Sequence, residues 1–127
     1  MTDEQMNEFL ESIGGLIPAY YTEKPKIISS HFFSCGSGWN LIIKSLIEDL
    51  ITLGWDKQIC QIKEKFGGLR FYINDGSDEI YKRISEAEEQ SYNTCEVTGK
   101  PGKLRNDIGW WTTLCDEEYQ KVLAKRK

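Results

Sequence analysis

The 127-residue chain lacks several features that would assign it to a familiar class of protein. Its formal net charge is −4, whereas proteins that bind along DNA or RNA usually carry a surplus of basic residues. No apolar run approaches the roughly 20 residues that a membrane-spanning helix needs. The first residues, MTDEQMNEF, are acidic and contain no apolar segment of the kind found in signal peptides, so we expect a cytoplasmic protein.

Side chains suited to catalysis are also scarce. The single histidine, His31, lies between Ser30 and Phe32, in a stretch where a hydrogen-bonded structural histidine is more common than a catalytic one. A pair formed with Cys35 would need a third, orienting group. The sequence contains no Walker loop, no Gly-x-Ser-x-Gly motif and no His-Glu-x-x-His motif. We therefore expect a protein that is not an enzyme.

Size and composition favour one globular domain that spans residues 1–127. Domains commonly contain roughly 100–150 residues. Apolar residues make up 39% of the chain, which is enough for a single core. The four cysteines (Cys35, Cys60, Cys95 and Cys115) are expected to be reduced thiols, because disulfides are rare in a cytoplasm.

The segment 58–74, QICQIKEKFGGLRFYIN, is the clearest structural signal in the chain. It predicts two β-strands joined by a two-residue turn at Gly67-Gly68, because glycine readily adopts the left-handed backbone that such a turn requires. This register places Lys65 directly opposite Arg70. Two cations so placed repel each other by a few tenths to about 1 kcal/mol unless an anion lies between them.

Alternation along the two strands divides the predicted hairpin into two faces. One face is apolar except for Glu64, and it contains Cys60, Ile62, Glu64, Phe66, Leu69, Phe71 and Ile73. The other face is polar, and it contains Gln61, Lys63, Lys65, Arg70, Tyr72 and Asn74. We predict that the polar face, a local basic patch on an acidic protein, receives an anion. Alternatively, its charges only prevent edge-to-edge aggregation of a solvent-facing hairpin.

Helical periodicity predicts further elements around this hairpin. The strongest helix covers residues 39–53, where apolar residues recur at intervals of three and four, and Gly54 ends it. A first helix is expected after Thr2, which can form a capping box with Gln5. The sequence therefore predicts an α+β protein, in which an antiparallel sheet that contains the hairpin packs against a central helix with flanking helices.

The second half of the chain is predicted to add two more helices and a second hairpin. A turn at 75–77 leads into a helix whose inner stripe contains Ile80, Ile84, Ala87 and Ser91. Residues 103–105 and 110–114 are expected to pair as a short hairpin, and Asp116 is expected to cap the last helix. In strand geometry, one residue of the Trp110-Trp111 doublet would face the core and the other would face away.

Four stretches, KEKFGGLRFY, ISEAEEQSYNTCE, CGSGW and GWWTTLC, resemble sequences of a family of small phage and prophage proteins. The resemblance spans residues 33–118, and KEKFGGLRFY is its most specific part. It implies a phage accessory protein that acts in the cytoplasm of a host cell. It implies no particular activity.

The resemblance also implies a degenerate zinc ribbon in residues 95–118. Many members of the family carry a Cys-x-x-Cys pair and a second Cys-x-x-His or Cys-x-x-Cys pair, each presented by a tight turn, as tetrahedral zinc requires. This chain keeps the first member of each pair, Cys95 and Cys115, but Thr98 and Glu118 stand at the second positions. Neutral threonine is a very poor zinc ligand, and glutamate is uncommon in structural sites.

Two interpretations of this region follow. One is a zinc ribbon that is completed from elsewhere in the chain, for example by His31 or Cys60. We favour the other interpretation, a relic turn in which Cys95 and Cys115 pack together, and we predict neither a metal nor a cofactor.

Three separate signals together predict a ligand-binding site. Gly36-Ser37-Gly38 precedes the central helix, and helix N-terminal amides attract phosphate or carboxylate groups. The polar hairpin face supplies cations. Aromatic residues supply flat surfaces that can stack on a base. The predicted ligand-binding residues are Gly36, Ser37, Gly38, Trp39, Lys63, Lys65, Arg70, Tyr72 and Trp110.

These residues predict a non-enzymatic protein that binds and sequesters a small phosphorylated, nucleotide-like ligand, such as a signal used in host defence. Two alternatives remain open. One is a protein-interaction module that inhibits a host defence protein. The other is a degenerate zinc ribbon that binds nucleic acid, which the negative net charge disfavours. A homo-oligomer in which two basic faces enclose one ligand is compatible with the first prediction.

Overall fold

The computed structural model describes residues 1–18 and 33–126 and confirms the predicted α+β fold. Within these residues the elements are α1 (Asp3–Ser12), β1 (Ile17–Pro18), β2 (Phe33–Ser34), α2 (Asn40–Thr52), β3 (Gln58–Lys65), β4 (Gly68–Ile73), α3 (Asp78–Ser91), β5 (Lys103–Arg105), β6 (Thr112–Leu114) and α4 (Asp116–Lys125). His31 lies outside the described residues. No helix in the described ranges is long and apolar enough to cross a membrane.

Local sequence signals determine where the helices begin. At α1 the Thr2 side chain accepts a hydrogen bond from the Gln5 amide, and the Gln5 side chain accepts one from the Thr2 amide, which confirms the predicted capping box. At α3 the Ser77 hydroxyl accepts from the Ile80 amide. The central helix α2 is entered through a 3-10 turn at Ser37–Trp39, so it begins one residue later than predicted.

One hydrophobic core joins α2, the hairpin and α3. Its members include Ile43, Leu46, Ile47 and Leu50 from α2, Ile59, Ile62, Leu69 and Phe71 from the hairpin, and Ile80, Ile84 and Ala87 from α3. Each fully buried Leu, Ile or Phe side chain contributes about 1.5–3 kcal/mol to folding. The prediction that Cys60 lies on the apolar face of the hairpin is wrong. An irregularity in the pairing of β3 between Ile59 and Gln61 directs Ile59 into the core instead, and Cys60 is only partly buried.

The central strand of the main sheet is β3. On one side it pairs antiparallel with β4, and on the other it pairs in parallel with β1 and β2. The parallel contacts place Ile17 opposite Gln58 and Phe33 opposite Ile62. The hairpin is therefore held along one edge by residues that precede α2.

The outer edge of β4 is covered by α3. The Leu69 amide donates a hydrogen bond to Ser91 Oγ (2.9 Å), and the Phe71 amide donates to Glu88 Oε2 (3.0 Å). These two side chains satisfy amides that an edge strand would otherwise leave unpaired. The arrangement fixes α3 against the sheet and places Tyr92, the residue that follows α3, beside the hairpin turn.

The hairpin turn lies one residue earlier than predicted. It is formed by Phe66 and Gly67, whose φ angles are 54° and 84°, both left-handed. Lys65 consequently pairs with Gly68. The reason is that Gly68 packs directly under the Tyr92 ring, where a Cβ atom has no room, so this glycine is used for close packing and not for the turn.

The changed turn alters the predicted charge pair. Lys63, not Lys65, lies directly opposite Arg70, so the predicted Lys65–Arg70 pairing is wrong. Partners shift by two residues, and side chains alternate with a period of two. For this reason Lys63, Lys65, Arg70 and Tyr72 still share one face, as predicted.

The second hairpin, β5 and β6, packs on the turn of the first. Lys103 pairs with Leu114 within this hairpin. The Thr113 hydroxyl donates to the Gly67 carbonyl (2.6 Å), and the Glu96 amide donates to the Thr113 carbonyl (3.0 Å). The buried Thr113 hydroxyl bond therefore joins the two hairpins directly, and the Glu96 bond attaches β6 to the segment that follows α3. A space between the hairpins opens to solvent.

Ser91→Ala tests the role of α3 in covering β4. The variant leaves the buried Leu69 amide without its acceptor, and we expect it to lower the free energy of unfolding by about 1–3 kcal/mol. Urea unfolding followed by circular dichroism measures this. Ser85→Ala, the same substitution at an exposed position of α3, is the matched control and should change stability little. Equal stabilities of the two variants would contradict the assigned role.

Candidate functional site

A cavity of about 810 Å³ lies between the two hairpins. It is open to solvent on one side. Its walls are mostly aromatic or apolar, with one cation and one carboxylate: the lining residues are Glu64, Phe66, Arg70, Tyr92, Leu104, Trp110 and Trp111. Ligand sites commonly occupy about 300–1,000 Å³ and combine apolar walls with a few polar groups. This cavity has both properties.

Three aromatic side chains at the cavity are unusually exposed for their size. Phe66 is 63% exposed because it occupies the hairpin turn. Trp110 and Trp111 are 52% and 50% exposed because both precede β6, so the predicted alternation of this doublet between core and surface is wrong. The Phe66 and Trp111 rings meet edge-to-face with centroids 6.3 Å apart.

Arg70 supplies the positive charge of the cavity. Its Nη1 donates to the Leu69 carbonyl (2.9 Å) and its Nη2 donates to the Tyr92 hydroxyl (3.0 Å). Burial opposes the charge, but the hydrogen bond and charge of Tyr92 and the charge of Glu88 raise the pKa of Arg70 above its ordinary value. In the part of the chain that the structure describes, no carboxylate forms a salt bridge with Arg70.

Glu64 supplies the carboxylate of the cavity. It lies opposite Leu69 on the otherwise apolar face of the hairpin. Its Oε2 accepts a hydrogen bond from the Gly67 amide (2.7 Å), which stabilises the turn. A carboxylate can accept about four hydrogen bonds, so this single bond leaves most of its capacity for a ligand.

The other predicted hairpin residues lie outside the cavity lining. The Lys63 ammonium lies 5.9 Å from the centroid of the Tyr72 ring, and this pair is not part of the cavity. The Lys65 ammonium lies 5.6 Å from the centroid of Phe66, which does line the cavity. Lys65 is therefore a second cation close to the site, whereas Lys63 and Tyr72 are more remote.

The predicted anion-binding segment before α2, Gly36-Ser37-Gly38, already contacts a carboxylate of the protein. The Gly36 amide donates to Glu96 Oε2 (2.8 Å), and the Gly38 amide donates to the Glu96 carbonyl (2.7 Å). Ser37 borders a separate cavity of about 320 Å³ beside α2. Glu96 therefore already satisfies the two glycine amides, and the structure does not bring Gly36, Ser37 or Gly38 into the cavity at the hairpins.

Trp39 does not provide a stacking surface. Its side chain is 0% exposed, and its indole Nε1 donates to the Thr94 carbonyl (2.9 Å). It belongs to the core beneath the segment that joins α3 to β5. Of the nine predicted binding residues, the structure brings only Arg70 and Trp110 into the lining of the main cavity.

In residues 95–118, Cys95 and Cys115 lie in a small buried cluster with Leu114. Burial raises the pKa of the Cys95 thiol, but hydrogen bonds from the Thr98 hydroxyl and from the amides of Cys115, Thr98 and Val97 outweigh burial and lower it. The same hydroxyl lies 3.7 Å from Cys115 Sγ. The Glu118 carboxylate pairs with Lys121 (3.1 Å). Within the described ranges, no three His, Cys, Asp or Glu side chains are grouped to hold a metal ion.

Several cavity residues were missed by sequence reasoning. Strand alternation predicts Glu64 and Phe66 on the apolar face of the hairpin, and no sequence signal points to Tyr92 as a site residue. Leu104 was noted only as part of a predicted strand. The sole local signal for any of them was the misfit of Glu64 on an apolar face. Their convergence depends on how the second hairpin packs on the first.

Comparisons with protein-family models, with curated proteins and with solved structures find no match to this chain. We therefore infer function from the geometry of the cavity and the chemistry of its walls.

The raised pKa of Glu96 predicts that the stability of the protein depends on pH. Burial raises the pKa of Glu96 above its ordinary 4.5; the Gly36 amide opposes this rise and the charge of Glu64 adds to it. The folded protein therefore binds this proton more tightly than the unfolded chain does. Consequently, the contribution of Glu96 to stability should fall as pH rises from about 4.5 through the raised pKa of the folded state.

Glu96→Gln isolates this contribution, because its amide oxygen can still accept from the Gly36 amide. We expect the stability of the variant relative to wild type to increase as pH rises above about 4.5. Urea midpoints at several pH values measure the difference. Glu89→Gln, an exposed control on α3, should follow the wild-type profile. A difference between Glu96→Gln and wild type that does not change with pH would contradict the argument.

Proposed function

We propose that the protein binds a small, anionic, nucleotide-like molecule in the cavity between its hairpins and holds it without chemical conversion. The observation that carries the proposal is the meeting of one cation, Arg70, with exposed aromatic rings in a single cavity. A flat ring that carries an anionic group complements both features. The ligand would stack on the aromatic walls and place its anionic group at Arg70.

The aromatic walls supply the larger part of the expected affinity. Stacking of a base on an aromatic side chain is worth about 1–3 kcal/mol. Trp110 and Trp111 expose half of their surface at the cavity, and Phe66 exposes more. Covering these rings also removes apolar surface from water, at about 25 cal/mol for each Å². The cavity volume of about 810 Å³ accommodates a nucleotide-sized molecule.

Arg70 supplies the attraction for the anionic group. Its guanidinium has five N–H donors, and the Leu69 carbonyl and the Tyr92 hydroxyl each accept from one of them. These two bonds hold the guanidinium in place, so less side-chain entropy is lost when a phosphate binds. Lys65, beside Phe66, adds a second positive charge near the cavity.

The charge of the rest of the protein favours a small ligand. A net charge of −4 repels an extended polyanion, whereas a single phosphate group interacts mainly with the cations around the cavity. In the phage setting that the resemblance implies, the protein would act in the host cytoplasm and sequester a nucleotide-derived signal of host defence.

Isothermal titration calorimetry with nucleoside monophosphates, cyclic dinucleotides and cyclic ADP-ribose isomers tests the proposal. We expect at least one of these to bind, and Arg70→Ala to weaken its binding by about 10-fold or more, because a charge-assisted hydrogen bond is lost. Arg83→Ala, which removes the same charge from α3 at a position paired with Asp49, should leave binding unchanged.

Two outcomes contradict the proposal. One is the absence of binding for every compound in the panel. The other is equal affinity of the wild type and Arg70→Ala, once circular dichroism has shown that both variants are folded.

A protein partner is the second candidate. Trp and Arg residues are enriched at interface hot spots, and Phe66, Trp110 and Trp111 form an exposed apolar patch of the kind that marks interaction sites. A host protein that co-purifies with the wild type but not with Trp110→Ala, together with no nucleotide binding, would favour this function.

A further inference from the structure

The carboxylate of Glu64 is not needed to bind an anion, yet it lines the same cavity as Arg70. Within the described residues no salt bridge joins Glu64 to Arg70 or to any other cation. A carboxylate on an apolar face without a cationic partner is costly, unless hydrogen-bond donors satisfy it. The Gly67 amide is one such donor, and the cavity side of the carboxylate remains open to a ligand.

We infer that Glu64 reads the hydrogen-bonding edge of a purine base and selects guanine. This inference rests on the proposed nucleotide-binding function and assigns the chemical class of the ligand. An ionised carboxylate only accepts hydrogen bonds, so it selects a base edge that presents donors. Guanine presents two adjacent donors, its ring N1–H and its 2-amino group, to a single carboxylate.

Other common bases match Glu64 less well. Adenine and cytosine each present one amino group next to an unprotonated ring nitrogen, whose lone pair would face a carboxylate oxygen. Uracil presents one N–H between two carbonyl oxygens. Each of these edges therefore places an acceptor against an acceptor, which costs free energy in a partly buried site.

Glu64 and Arg70 give the cavity one negative and one positive group. The charge of Glu64 also contributes to raising the pKa of Glu96, and burial together with the charges of Glu96, Asp3 and Glu64 raises the pKa of Cys35 to about 12. The guanidinium of Arg70 donates to the Tyr92 hydroxyl. A guanine nucleotide fits this polarity, with its base donors at Glu64 and its phosphate at Arg70.

The position of Glu64 is fixed by the turn. Because Oε2 accepts from the Gly67 amide at 2.7 Å, the carboxylate is held in one orientation before a ligand binds. The adjacent Phe66 and Trp111 rings, with centroids 6.3 Å apart, provide the surface on which the base would stack. A preorganised acceptor beside a stacking surface is the arrangement that base-edge recognition requires.

Calorimetry with guanosine, adenosine and xanthosine monophosphates tests the assignment. We expect the wild type to bind guanosine monophosphate about 10-fold or more tightly than adenosine monophosphate. Glu64→Gln should weaken the binding of guanosine monophosphate by about 10-fold. The same substitution should strengthen the binding of xanthosine monophosphate, because the glutamine amide can donate to the 2-oxo group of xanthine. The glutamine carbonyl can still accept from the Gly67 amide, so we expect this variant to fold.

Glu86→Gln, an exposed position on α3, makes the same change of charge and should keep the wild-type preference. If the wild type binds all three nucleotides equally, or Glu64→Gln leaves the preference for guanine unchanged, the assignment of Glu64 fails while nucleotide binding stands. If no nucleotide binds to the folded wild type, both the assignment and the proposed function fail.

Discussion

The cavity between the hairpins depends on the conformation of the turn between β3 and β4. Phe66 and Gly67 both take left-handed backbone angles, which is costly for a residue as large as phenylalanine, by about 1–3 kcal/mol. Two contacts hold the turn in this form: the Glu64 carboxylate accepts from the Gly67 amide, and the Thr113 hydroxyl donates to the Gly67 carbonyl. The same turn directs the Phe66 ring outward, towards Trp111.

This turn also explains why the cavity lies where it does. Gly68 fits under the Tyr92 ring only because α3 is bonded to the edge of β4, and Tyr92 in turn holds the Arg70 guanidinium. Packing of the second hairpin on the turn then places two half-exposed tryptophans opposite Arg70. The lining residues of the cavity thus come from three segments of the chain, namely the first hairpin, the end of α3 and the second hairpin, and these segments meet at the turn.

Local and periodic features were predictable from the sequence. The capping box at Thr2, the turn at 75–77 that leads into α3 and the inner stripe of α3 depend on neighbours a few residues apart, and all three are confirmed. The alternation that places Arg70 and its neighbouring lysines on one face survived the change of register, since that change spans two residues. The features that could not be predicted from the sequence depend on contacts between residues that are distant in the chain. Glu96 binds the Gly36 amide across 60 residues, and the Tyr92 ring decides which glycine forms the turn.

The central claim, that the cavity between the hairpins is a ligand site, can be tested directly with the indole N–H signals of the four tryptophans in a ¹H–¹⁵N spectrum. Trp110 and Trp111 line the cavity, whereas Trp39 and Trp55 are buried in the core. Titration with guanosine monophosphate should shift the signals of Trp110 and Trp111 in a saturable way and leave those of Trp39 and Trp55 in place. Saturable shifts confined to Trp39 and Trp55, or no shift of any indole signal, would contradict the account.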